Sequence, residues 1–144
     1  MQIGVESAKA VDRRRVFVVD ADEVTRTALQ FMLHDEIETH ELGSLEEAYE
    51  KGVEWLKPDL LLLGVSFLKQ EGAGLIGVLK DKFPNIRVLI ICEKADEAIA
   101  VEGIKAGAHG ALVKPLMLEA VRKKVDTILG RSGGDTLIQI GGIA

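Results

Sequence analysis

The sequence predicts an α/β fold of the doubly wound kind, a parallel sheet of five strands with helices on both faces, built from five successive βα units. Three observations carry this. The first is a set of short continuous apolar runs: Val16-Phe17-Val18-Val19, Leu60-Leu61-Leu62-Leu63, Val88-Leu89-Ile90-Ile91 and the shorter Ala111-Leu112-Val113. Runs that are continuous rather than alternating mark strands buried on both faces. The second is the set of amphipathic stretches between them, with apolar residues at helical spacing. The third is length: 144 residues hold one domain of roughly 100–200 residues with short tails.

The elements follow in order along the chain. Val16 to Val19 is the first strand. Val24, Ala28, Phe31 and Met32 recur at helical spacing and form the first helix. Ile37 to Leu42 is a weaker strand. Ser44-Leu45-Glu46-Glu47 is a capping box, with Ser44 as N-cap and Glu47 reaching back, so a second helix should run to about Leu56. After the strand Leu60 to Leu63, the residues Leu75, Ile76, Leu79 and Phe83 give a third helix, stopped by Pro84. Val88 to Ile91 is followed by a fourth helix on Ala98, Val101 and Ile104, ended by Gly107. Ala111 to Val113 is followed by a last helix on Leu118, Val121, Val125 and Ile128, ended by Gly130. Right-handed crossovers between parallel strands then put helices on both faces of the sheet. The domain spans 14–130, with an N-terminal extension over 1–13 and a Gly-containing tail over 131–144. Ser132-Gly133-Gly134 reads as a hinge. Asp135 to Ala144 stays open between a short strand, a disordered tail and the start of a further domain.

Composition narrows the function. Hydrophobic residues make up 47% and charged residues 28%, with 18 basic against 23 acidic side chains and a net charge of −5. That balance argues against a general nucleic-acid binder, whose affinity comes from clustered Lys and Arg. A single Cys excludes a disulfide framework and a Cys-based zinc site. His34, His40 and His109 are too far apart in sequence to suggest a metal cluster and read as surface or helix-end residues. No signal-peptide run and no membrane-spanning apolar stretch is seen, which makes the cytoplasm the expected location.

In an open parallel sheet, ligands bind at the carboxyl ends of the strands. The informative residues are therefore Asp20-Ala21-Asp22-Glu23 after the first strand, Gly64 after the third, Cys92 after the fourth and Lys114-Pro115 after the fifth. The acidic turn would repel a phosphate and suits a hard cation such as Mg²⁺. Asp22 and Glu23 could equally complement the positive end of the first helix dipole. Asp20, at the strand edge, reads as a site position.

Three segments together resemble the receiver domain of bacterial two-component response regulators. They are Arg15-Val16-Phe17-Val18-Val19-Asp20-Ala21-Asp22-Glu23, then Pro58-Asp59-Leu60-Leu61-Leu62-Leu63, then Ala106-Gly107-Ala108 leading to Leu112-Val113-Lys114-Pro115. The resemblance implies a flavodoxin-like three-layer sandwich with strand order 2-1-3-4-5 and a role in phosphorelay signalling. Such receivers carry a phosphoacceptor Asp at the end of the third strand, and acidic residues after the first strand that help hold Mg²⁺. A Thr or Ser ends the fourth strand, an aromatic sits in the fifth, and a Lys follows it. Carried over by position, Asp20 matches the first acidic residue and Lys114 the Lys. The second acidic position falls on Ala21, with Asp22 next to it. The acceptor falls on Gly64, the Thr/Ser on Cys92, the switch aromatic on Ala111, and the usual Met-Pro on Phe67-Leu68.

Glycine has no side chain, so no acyl phosphate can form at Gly64. Asp59 starts the same strand, roughly 16 Å away at about 3.3 Å per residue. Glu71 lies in the expected loop beyond, and Ser66 has no evident base. Cys92 is a poor hydrogen-bond donor that reads as a small packed hydrophobe. Ala111 has no ring to swing. An Asp20–Lys114 ion pair is expected as a structural tie.

The expectation is a degenerate receiver, a pseudo-receiver that works as a phosphorylation-independent interaction module and is not an enzyme. It needs no cofactor, and Asp20 with Asp22 would bind Mg²⁺ weakly at best. Its partner is a signalling protein or a second copy, docked through residues 95–129, with no nucleic acid or membrane bound by this domain. The alternatives are a working receiver with another acceptor residue, and a small-molecule or flavin binder on the same fold.

Overall fold

The computed structural model describes residues 12–53 and 56–131. The sheet holds β1 (Asp12–Val19), β2 (Ile37–Leu42), β3 (Leu60–Gly64), β4 (Arg87–Cys92) and β5 (Gly110–Val113). Its five strands run in the order β2-β1-β3-β4-β5, and every pairing is parallel. The helices are α1 (Glu23–Leu33), α2 (Leu45–Lys51), α3 (Val65–Glu71), α4 (Leu75–Lys82), α5 (Glu97–Lys105) and α6 (Leu118–Leu129), with a 3₁₀ turn at Lys94–Asp96. This is the predicted flavodoxin-like fold, and the weak strand at Ile37–Leu42 is real.

The apolar runs bury both faces because alternate residues point opposite ways. Phe17, Val19, Leu61, Leu63, Val88 and Ile90 pack under α2, α3, α4 and α5. Val16, Val18, Leu60, Leu62, Leu89 and Ile91 pack under α1 and α6. Phe17 is fully buried and meets the Phe83 ring edge-on, with centroids 6.4 Å apart.

Two helices differ from expectation. Ser44 caps α2 as predicted, accepting from Glu47 N at 3.2 Å, while Glu47 Oε1 accepts from Gly43 N at 3.0 Å. The helix nevertheless stops at Lys51, short of Leu56, because Gly52 follows as its C-cap and glycine is a weak helix former. Residues 54–55 lie outside the described residues, as do the N-terminal extension through residue 11 and the tail from Ser132 onward. The second difference is α3, which occupies the stretch expected to be a loop. Val65, Phe67 and Leu68 are buried on it, and Gly72 at φ 84° ends it. Leu68, at the position of the family's Pro, keeps the amide that a helix requires.

The two ends of the domain meet. Arg14 Nη1, early in β1, donates to Leu129 O at the end of α6 at 2.6 Å. Arg122 ties α6 to α1 by donating to Met32 O at 2.9 Å and to Asp35 at 3.0 Å.

His109 stitches β5 to β4. Its amide donates to Val88 O at 2.8 Å, and its ring Nδ1 accepts from Val88 N at 3.1 Å. Burial, then Lys80 and Arg87, hold the imidazole below the ordinary 6.5. The folded state therefore prefers the neutral ring. The stability this gives is complete above the ordinary value and is lost as pH falls through the lowered folded value. Between about pH 7.5 and about pH 5, the wild type should lose more thermal stability than His109→Gln, whose amide can accept the same bond without titrating. Equal losses would show that His109 does not titrate against folding.

Candidate functional site

The strand register brings the carboxyl ends of β1, β3, β4 and β5 to one edge. Val19 pairs with Leu63, Gly64 with Ile91, and Cys92 with Val113. The residues that follow these positions line a cavity of about 480 Å³, among them Asp20, Asp22, Ser66, Cys92 and Lys114. Gly64, the last residue of β3, lies directly beneath the Asp20 side chain. Ala111 is half-buried on β5 and packs against the core under α5.

Asp20 is the buried acid of the site, 7% exposed. Its Oδ1 accepts from Asp22 N at 2.9 Å, and its carbonyl accepts from Arg26 Nη1 at 2.8 Å. Burial is the main force on its carboxyl and pushes it above the usual carboxylate range. The Asp22 amide and Lys114 oppose that shift. The carboxylate leans over Gly64: a Cβ built on Gly64 would stand 2.6 Å from Asp20 Oδ2 and 2.7 Å from its Cγ. Asp20 thus fills the space from which a side chain at position 64 would start.

Lys114 does not pair with Asp20 as expected. Its Nζ donates to Thr25 Oγ1 at 2.8 Å, and lies 3.6 Å from Glu93 and 4.0 Å from Asp22. Thr25 Oγ1 in turn donates to Asp22 Oδ2 at 2.6 Å. That hydrogen bond is the main reason the Asp22 carboxyl sits below its ordinary value. Lysine, threonine and aspartate therefore form a relay of matched donors and acceptors. A backbone carbonyl holds the strand end in place, since Lys114 N donates to Cys92 O at 2.8 Å. The Lys114–Pro115 peptide is cis.

Cys92 is buried. Burial, followed by Glu97, Asp96 and Glu93, raises its thiol above the ordinary value, so the unreactive protonated form is favoured. Lys69 of α3 reaches Asp96 at 3.0 Å and bridges the cavity mouth. Neither Thr25 nor the Lys69–Asp96 pair was anticipated. Thr25 had a signal, being one helical turn beyond Asp22. Lys69 had none, because its helix was expected to be a loop.

The other carboxylates weighed as acceptors stand elsewhere. Asp59 accepts from Arg15 N at 2.8 Å at the opposite end of β3, and Glu71 is the exposed last residue of α3. Of the histidines, His34 bonds the carbonyls at the end of α1 and His40 bonds Glu38. One oxygen of Asp20 and one of Asp22 are engaged by the protein, Gly64 adds no side-chain oxygen, and no group of three metal-ligating side chains occurs among the described residues. A hard cation needs several free oxygens at short range. No described helix is long and apolar enough to cross a membrane.

An open five-stranded sheet of this order, with an acidic turn and the strand-end step Lys114-Pro115 at one edge, is the pattern of the receiver class. Residues 16–126 match the family model described as the response regulator receiver domain, and the chain belongs to that family. It is 28% identical over 128 residues to the transcriptional regulatory protein LnrK of Bacillus subtilis, covering 85% of this chain and 56% of the relative. It is 33% identical over 122 residues to the DNA-binding transcriptional activator DevR/DosR of Mycobacterium tuberculosis, covering 82% of this chain and 56% of the relative. The chain thus spans about half the length of these curated relatives. Among solved structures it resembles a response regulator from Thermotoga maritima, with a TM-score of 0.73 and 26% identity over 83% of this chain and 99% of that one.

Proposed function

We propose that this receiver domain works in two-component signalling as a constitutive protein-interaction module that takes no phosphoryl group. The observation that carries this reading is the Asp20 carboxylate packed over Gly64, where an acceptor side chain would begin. Cys92 and Ala111 support it, since neither provides the hydroxyl nor the ring that a phosphoryl-driven switch uses. A modification shifts a conformational equilibrium only through differential affinity for two states, and here it has no group to act on. The module is not an enzyme, holds no cofactor, and binds Mg²⁺ weakly at best.

The docking face in this reading is α5, β5 and α6, within residues 95–129. Val101, Ile104 and Met117 are exposed there, at 47%, 40% and 62%. The partner is a signalling protein or a second copy of the chain. Arg122 belongs to the clamp on α1, so the charges that border the free face are Lys105 and Lys123.

Incubation with acetyl phosphate and Mg²⁺ should leave the intact mass unchanged. A gain of one phosphate, labile to hydroxylamine, would refute the reading. Partner capture or sedimentation should be the same with and without the phosphodonor, and should weaken in Lys105→Glu/Lys123→Glu. Association that depends on the donor, or that survives both reversals, would overturn the docking assignment.

A further inference from the structure

The end of the sheet opposite the cavity carries a basic cluster that takes no part in the site around Gly64. His109 is its centre. Because ring Nδ1 accepts from Val88 N, the ring proton sits on Nε2, which becomes a donor. Arg87 is the exposed first residue of β4. Lys80, at the end of α4, holds its Nζ 2.6 Å from where a Cβ on Gly107 would stand, over the turn into β5. The stem of Lys124 covers Gly110, with Cδ 4.0 Å from the corresponding Cβ position. The two charges that act on the imidazole, Lys80 and Arg87, are both cations. Among the described residues, Lys80, Arg87 and Lys124 have no hydrogen bond or salt bridge to a carboxylate. The surface therefore offers donors and positive charge without a matching acceptor, on a chain whose net charge is −5.

Cations gathered at one end of an acidic molecule give a local positive potential that the far end opposes. We propose that the surface formed by Lys80, Arg87, His109 and Lys124 docks an acidic polypeptide segment of a partner protein. A run of Asp or Glu side chains supplies carboxylates that can take a two-pronged bond from Arg87 and single bonds from the lysines and His109 Nε2. A short segment meets only this end of the domain. A long phosphate backbone would gain from the same four groups but would also run past the acidic remainder of the surface, which weakens it. The surface is separate from Gly64 and its cavity, so this inference does not depend on whether the domain is phosphorylated.

The test uses the full chain and a fluorescent Glu-rich decapeptide, read by anisotropy at about 50 mM salt, where screening is modest. The wild type should bind, and Lys80→Glu/Arg87→Glu should weaken binding about tenfold or more, as charge reversal at a docking surface does. The control Lys51→Glu/Lys94→Glu, with the same change in net charge on α2 and the 3₁₀ turn, should bind as the wild type does. If the reversal variant does not fold, Lys80→Gln/Arg87→Gln reads the same loss with less repulsion. No binding by the wild type, or equal weakening in test and control variants, overturns the proposal. Tighter binding of a DNA duplex or of inorganic phosphate than of the peptide overturns the acidic-polypeptide assignment.

Discussion

Gly64→Asp should lower the stability of the fold by about 2 kcal/mol, the scale of forcing extra atoms into a packed site, and Asp20→Ala in the same chain should return most of it. The new Cβ would begin 2.6 Å from Asp20 Oδ2. To admit it, the Asp20 carboxylate must swing away and give up the bond from Asp22 N. Two carboxylates would then share a corner where burial already pushes the carboxyl of one upward, and like charges at close range oppose each other's ionisation. Urea denaturation of both single variants and the double variant measures the coupling, expected at about 1 kcal/mol or more. Strict additivity would show that the two side chains do not compete. The same contact explains a second expectation: millimolar Mg²⁺ should raise the melting temperature of Gly64→Asp by bridging the added carboxylate, and leave that of the wild type almost unchanged.

Phe17→Ala should be the most damaging single change considered, costing about 3–4 kcal/mol. Phe17 has no exposed surface. It sits in β1, flanked by β2 and β3, with Phe83 on one side and the His40 ring 5.7 Å away, edge-on. Removing the ring leaves a cavity among strands held by their register, so the walls can relax little. Phe17→Leu keeps most of the volume and should cost less than about 1.5 kcal/mol. Thermal melts should show a drop of more than roughly 10 °C for Ala and only a few degrees for Leu. Similar drops for the two would mean that ring geometry, not volume, holds this part of the core.

The strands were legible because burial on both faces removes polar residues from them, and the runs at Leu60–Leu63 and Val88–Ile91 have almost no other reading. Helix ends were legible where a residue has a specific backbone job: Ser44 as a cap, Gly130 at φ 73°. The helix at Val65–Glu71 is not legible because the helical spacing picked out begins only at Leu75, while the burial of Val65, Phe67 and Leu68 depends on contacts distant in sequence. The rule that sites form at strand ends singles out Asp20, Asp22, Gly64, Cys92 and Lys114, and the structure gathers them at that edge. How they pair was not legible. Whether Lys114 reaches Asp20 or Thr25 is settled by side-chain rotation and by Glu93 on a neighbouring loop, neither of which leaves a spacing in the sequence. The lean of Asp20 over Gly64 is likewise a matter of packing, and only the absence of a side chain at 64 hinted at it.

The hydrogen bond from Arg14 to Leu129 has a consequence for moving this domain between proteins. It places the point where the chain enters the sheet beside the point where it leaves the last helix. A unit whose entrance and exit coincide makes a small footprint on whatever carries it, because a host loop can be cut and the unit spliced in without prising the host apart. By the same geometry, a short linker could join the two points and new termini could be opened at an exposed turn elsewhere, giving a permuted chain with the same sheet. The domain is thus arranged as a cassette, its entrance and exit kept together by the Arg14 bond and by the packing of Val125 and Leu129 with Val16 and Val18.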